Sequence, residues 1–156
     1  MSQDLKIRNL ILYVAERSAD DANLDRGKLA LLLFFCDFGA HAELGESITG
    51  ARYRKLPQGP ISDEWLGIEP EQPISGQSAD LSLLSADQRN LVDSVLRRHR
   101  QDDATSLGVL AKAFPGYEAA FDGEEIPYHT VLIPREGPTQ ADVDRGLELI
   151  RQGVLT

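Results

Sequence analysis

The chain has 156 residues, of which 42% are hydrophobic and 26% charged, an ordinary globular mixture that excludes global disorder and fits a single domain over residues 1–156. Its formal net charge of −9 repels phosphate backbones, so direct nucleic-acid binding by the isolated chain is not expected. The one cysteine, Cys36, excludes an internal disulfide, and a lone thiol in an apolar run fits a reducing compartment.

Met1 is followed by Ser-Gln-Asp-Leu-Lys, which lacks the apolar core of a signal peptide. The longest apolar run, residues 29–36, is far shorter than the ~18 residues that span a bilayer. A cytoplasmic protein without membrane association is the expectation.

Residues 4–18 place Ile7, Leu10, Ile11 and Val14 on one helical stripe. Asp25 is positioned to cap a second helix. That helix reads Leu-Ala-Leu-Leu-Leu-Phe-Phe-Cys, apolar all round, as a buried central helix does. A buried strand is the competing reading of such a run, but Leu and Ala dominate and no β-branched residue occurs, so helix is preferred. It should continue through Asp37, Phe38 and His41 and stop near Gly45.

Ile48, Thr49 and Tyr53 favour strand, which places a small antiparallel β element around residues 48–56. Pro57, Gly59 and Pro60 then read as a turn, and residues 62–67 as one helical turn carrying Trp65. Residues 69–79 are rich in Pro, Gly, Ser and Gln and read as a surface loop. Residues 80–84 read as a short strand or as the entry to the next helix.

Ser85-Ala-Asp-Gln88 is a capping box opening a helix with Leu91, Val92, Val95 and Leu96 on its stripe. Residues 105–114 read as a further helix, stopped by Pro115-Gly116. Residues 117–134 read as irregular, with 128–133 a possible strand. Tyr117 and Tyr128 should pin this segment to the core through their rings and hydroxyls. Thr139-Gln-Ala-Asp142 opens a final helix with Val143, Leu147 and Ile150 on one face.

Catalytic and metal signatures are weak. His41, His99 and His129 are widely separated, and neither a Cys pair nor a His-Glu-x-x-His motif occurs. Asp37 and His41 share a helix face, which is half a metal site or a polar pair near a helix end. Cys36 sits where a thiol is inert packing. No nucleophile elbow, Walker loop or dinucleotide fingerprint is present. The expectation is a non-enzymatic protein without cofactor or metal.

Arg52-Tyr53-Arg54-Lys55 forms the one basic, aromatic-interleaved patch. It reads as an edge strand guarded by charge, as a protein-binding patch, since Arg and Tyr are enriched at hot spots, or, least of all, as a nucleic-acid contact. Tyr53 and Arg54 cannot both face the core, because strand neighbours point to opposite sides; Arg54 is the better candidate to face a partner. Trp65 reads as a core anchor or as an exposed contact.

In order, these features resemble the SocA-like Panacea antitoxin family, found also in prophages and mobile elements. Lys28-Leu-Ala-Leu-Leu-Leu-Phe-Phe-Cys-Asp37 is similar to the family's apolar helix ending in aspartate. Ser47-Ile-Thr-Gly50-Ala-Arg52-Tyr53-Arg54-Lys55-Leu-Pro57-Gln-Gly59-Pro60 resembles its small-residue turn, aromatic strand and Pro-x-Gly-Pro exit. Residues 110–117, ending in Tyr117, and Ile126-Pro127-Tyr128 resemble its C-terminal segment. The likeness spans residues 6–133. Ala111-Lys112 stands where the family tends to show Ser-His, and Tyr117 where it favours tryptophan.

The resemblance implies an antitoxin that neutralises a cognate protein toxin, encoded beside it, by direct binding. Some members present the toxin to a protease, which makes a proteolytic adaptor the runner-up; a small enzyme with an unrecognised site comes third. Arg52, Tyr53, Arg54, Lys55 and Trp65 are the candidate partner contacts. The expected fold is mainly α (α+β), with about five or six helices around the central apolar helix.

Overall fold

The computed structural model describes residues 3–68 and 78–133. Helix α1 spans Gln3–Arg17 and α2 spans Arg26–Leu44. Strands β1 (Tyr53–Leu56) and β2 (Gly59–Ser62) form an antiparallel hairpin, followed by α3 (Asp63–Ile68). A 3-10 turn at Leu81–Leu83 leads into α4 (Ala86–Arg98). Then come α5 (Ala104–Lys112), α6 (Pro115–Ala119) and a 3-10 turn at Tyr128–Leu132. The fold is thus mainly helical with one small antiparallel sheet. The expected final helix at 139–150 and most of the expected loop at 69–79 lie outside the described residues.

Helix α2 is the centre. Every residue from Lys28 to Phe38 is buried, and α1, α4, α5, β2 and the second 3-10 turn all pack on it. This is why no polar face was visible in its sequence. The Asp25 carboxylate caps its start through the Lys28 amide at 2.8 Å. Gly45, at φ 91°, ends it in the left-handed conformation that glycine adopts without penalty. Ile7, Leu10, Ile11 and Val14 of α1 pack into the same core as Leu91, Val92 and Val95 of α4.

Two buried polar links fasten the outer helices. Lys28 Nζ, 1% exposed, donates to Asp21 Oδ2 at 2.7 Å and to the His99 carbonyl at 2.8 Å, so a cation closes the carbonyl end of α4. Asn9 on α1 exchanges two hydrogen bonds with the Asp80 backbone, which ties the segment leading into α4 to α1. The capping box of α4 forms in full between Ser85 and Gln88.

Four expectations need correction. The β element sits at residues 53–62, because Ile48 and Thr49 spend their amides on a carboxylate described below rather than on a ladder. The turn is Pro57-Gln58, and Gly59-Pro60 begin β2. Proline is tolerated there because its partner Lys55 points its own amide and carbonyl away from β2, to Glu124 and Gly123 at 3.0 and 2.8 Å. Pro115 does not end the helical region; after the α5 cap at Ala113 it occupies the first turn of α6, where no amide is required. Residues 128–132 form a 3-10 turn rather than a strand. Of the two readings of residues 80–84, the entry to the next helix holds, as a 3-10 turn at Leu81–Leu83.

Leu32 is 1% exposed at the middle of α2. Leu32→Ala should destabilise the protein by about 2–5 kcal/mol in urea melts, the range for large core truncations. A loss under ~0.5 kcal/mol would place α2 outside the core.

Candidate functional site

The segment between α2 and β1 is built around Asp37, which is 0% exposed. Its Oδ1 accepts from the amides of Ile48 and Thr49 at 2.9 and 2.8 Å. Its Oδ2 accepts from Thr49 Oγ1 and from the Tyr53 hydroxyl, both at 2.6 Å. Burial raises the Asp37 pKa above its ordinary value, and the four donors pull it partly back. Burial first, and then the Asp37 charge, hold the Tyr53 and Tyr128 hydroxyls protonated well above neutral pH.

Aromatic rings seal this cluster. Tyr53 meets Phe34 and Phe38 edge-on, with centroids 5.9 and 5.6 Å apart. The Tyr128 ring lies 4.6 Å from Phe38 and stacks on His41, and its hydroxyl donates to the Ala51 carbonyl. Asp37 and His41 therefore do not act as a pair: one holds a loop and the other holds a tyrosine. With both oxygens used and no surface exposed, Asp37 is a strut rather than an acid or base for a substrate. Among the described residues no group of three or more metal-capable side chains forms. Burial raises the Cys36 thiol pKa, so the thiolate is disfavoured.

The hairpin projects from this mount. Gly59 has φ 140°, which strains any L side chain, and a Cβ there would come 2.7 Å from Leu31 Cδ2, so that side chain would also have to shift. Tyr117 donates its hydroxyl to the Leu56 carbonyl at 2.6 Å, and Lys55 Nζ lies 4.9 Å from the Tyr117 ring centroid. Residues 123–126 run along the far side of β1, through Gly123 to Lys55, Lys55 to Glu124 and Ile126 to Tyr53. The free-edge reading of β1 is therefore wrong: both of its edges are paired.

The candidate contacts divide sharply. Tyr53 and Trp65 are buried at 1% and 4% exposure, so neither can meet a partner from the folded state. Trp65 turns inward because α3 is fixed by the Ser62 hydroxyl, which accepts from the Trp65 amide at 3.0 Å. Arg54 does face away from the core, but its Nε contacts both oxygens of Asp63 at 2.9 Å and its Nη1 reaches the Gly123 carbonyl at 3.3 Å. Arg52 is the most open cation of the patch, 65% exposed and 3.9 Å from Glu125. Arg54 and Arg52 are thus offset locally by Asp63 and Glu125, and Lys55 lies over the Tyr117 ring, which the linear sequence did not reveal.

Sequence reasoning missed the role of Lys28, whose signal was a lysine heading an otherwise apolar helix. It also missed a groove of about 390 Å³ between α2, α4, α5 and the second 3-10 turn, floored by Phe35, Phe38, Leu91, Val95 and Phe114 and rimmed by Glu43, Arg98 and Asp102. Its apolar floor comes from three separate segments, so no single sequence window contains it. No helix among the described residues is long and apolar enough to cross a membrane. Comparison with protein-family models, curated proteins and solved structures gives no match.

Asp37→Ala should cost more than about 3 kcal/mol, since each buried donor left unpaired costs about 1–3. Asp37→Asn should cost less, because the Thr49 and Tyr53 hydroxyls can rotate to accept from its amide. The pH dependence has a definite sign. The native carboxyl holds its proton above 3.8, where the unfolded chain has released it, so this group's contribution to stability falls as pH rises from 3.8 through the raised native value. Urea melts of wild type and Asp37→Asn across that window should show the slope only in wild type; parallel curves would contradict the assignment.

Proposed function

We propose that this chain is an antitoxin of the SocA-like Panacea type, which neutralises a protein toxin by binding it directly. The observation that carries this reading is the spatial convergence of the residues on which the resemblance rests. Asp37 holds Thr49 and Tyr53, Tyr128 holds Ala51, Tyr117 holds Leu56, and Gly59 closes on Leu31. Gly50, at φ 72°, makes the bend between the Asp37-bound amides and β1, and Pro127 caps the turn that carries Tyr128. This convergence supports the reading, because the resembling blocks form one hydrogen-bonded unit rather than three separate surfaces.

That unit suits binding rather than chemistry. Its polar groups are consumed internally, while strand β1 of the hairpin it mounts is paired on both edges. A rigid surface loses little entropy on docking. Occlusion of the toxin's active surface needs an interface of about 1,600 Å² in total. Direct neutralisation requires two proteins, whereas an adaptor requires a protease as a third.

Co-expression should restore growth to cells producing the toxin encoded beside this chain. The two purified proteins should form a complex with Kd of ~1 μM or tighter, about −8 kcal/mol. If the neighbouring product is not toxic, or if rescue occurs only where a protease is present and no two-protein complex forms, the antitoxin reading fails.

A further inference from the structure

Beside the hairpin, the turn from Phe121 to Glu124 displays an aromatic ring outward. Phe121 is 79% exposed, although its neighbours Ala120 and Ile126 are buried at 8% and 3%. The exposure is not loose chain. The Glu124 amide donates to the Phe121 carbonyl at 2.9 Å, and Gly123 takes φ 79° at the third position of the turn. Gly123 and Glu124 are each hydrogen-bonded to Lys55, and Ile126 to Tyr53. The ring is therefore held in place by the same β1 strand that Asp37 anchors through Tyr53.

The charge around it is one-sided. Glu118, Asp122, Glu124 and Glu125 are all exposed, and among the described residues only Glu125 has an ion pair, at 3.9 Å to Arg52. Hairpin cations offset this only in part: Arg54 is committed to Asp63, Arg52 stands beside Glu125 and Lys55 lies over the Tyr117 ring, which leaves Glu118, Asp122 and Glu124 without an ion pair among the described residues.

We infer that Phe121 is the anchor of a docking surface for a basic protein, inserting into an apolar pocket whose rim carries Lys or Arg side chains facing Asp122 and Glu124. A preordered aromatic with a charged surround is the anatomy of an interface hot spot. A second copy of this chain is disfavoured as occupant, since two such acidic turns on chains of net charge −9 repel. The inference rests on the antitoxin reading for the identity of its partner, and adds the residue and the partner chemistry.

The test is calorimetric and stopped-flow titration of the full chain with the purified neighbouring gene product. Phe121→Ala should weaken binding at least about 30-fold, the hot-spot threshold. Asp122→Lys with Glu124→Lys should slow association about 10-fold at low salt, a difference that shrinks near ~0.5 M salt. Val109→Ala, a comparably exposed apolar residue on α5, should bind like wild type. Circular dichroism should show all variants folded. Wild-type binding with Phe121→Ala within about threefold of it overturns this inference and leaves the antitoxin reading standing. Absence of any wild-type complex overturns both. A dimer of the free chain that Phe121→Ala dissolves overturns the basic-partner assignment, because the ring's occupant would then be a second copy.

Discussion

A carboxylate sealed from water organises this molecule. Placing Asp37 in the core is unfavourable in isolation, since burial of an unpaired charge costs far more than one interaction returns. The chain meets that cost by wrapping four donors around it within sixteen residues of sequence. Two are backbone amides, so the path of residues 48–49 is fixed whatever their side chains. The other two are hydroxyls, one of which belongs to the first residue of β1. Removing any donor leaves charge unsatisfied, so the loop, the hairpin and the end of α2 are fixed together.

The opposite end of α2 repeats the arrangement with reversed sign. Lys28 is buried and is met by Asp21 and by carbonyls at the end of α4. An otherwise apolar helix thus carries a cation near its start and an anion near its end, each answered by a different part of the chain. Apolar packing alone would let a smooth helix slide or rotate among its neighbours. One buried ion pair at Lys28 and one buried hydrogen-bonded carboxyl at Asp37, about nine residues apart along the helix, allow one register. Buried pairs are poor sources of net stability, and fixing register is their best-attested use.

Much of the helical framework was legible in the sequence because its signals are local. Asp25, Gly45 and the Ser85–Gln88 box act within one turn of the helix ends they mark, and the stripes of α1 and α4 repeat within a short window. The β element was misplaced because its determinants are not local. Ile48 and Thr49 look like strand residues, but a carboxylate eleven and twelve positions earlier takes their amides. Pro60 looks like a breaker, but the pairing of Lys55 with residues 123–124 removes the need for its missing donor. Residues 128–132 have strand-like composition, yet Tyr128 is held by Ala51 and Phe38, and this tertiary contact overrides propensity. The same limit applies to the candidate site. That Tyr53 and Arg54 take opposite sides followed from strand alternation, but the neutralisation of Arg54 by Asp63 needed the hairpin to close.

These contacts also decide what kind of surface the hairpin can be. Read as a linear motif, residues 52–55 are cationic and suggest an acidic partner. Folded, the strand lies between Asp63 and Glu64 at the start of α3 and the carboxylates of residues 118–125. Three cations then face a larger number of anions, of which Asp63 and Glu125 are ion-paired. By count of charged side chains this face is net acidic. Its rigidity comes from Asp37 through Tyr53, and its sign comes from the loop that pairs with β1. Neither property belongs to the hairpin sequence alone. A partner that docked on this face would meet a fixed anionic shape, and its affinity should depend on the buried strut as well as on the residues it touches, since loosening the mount returns the ordering entropy that preorganisation had removed.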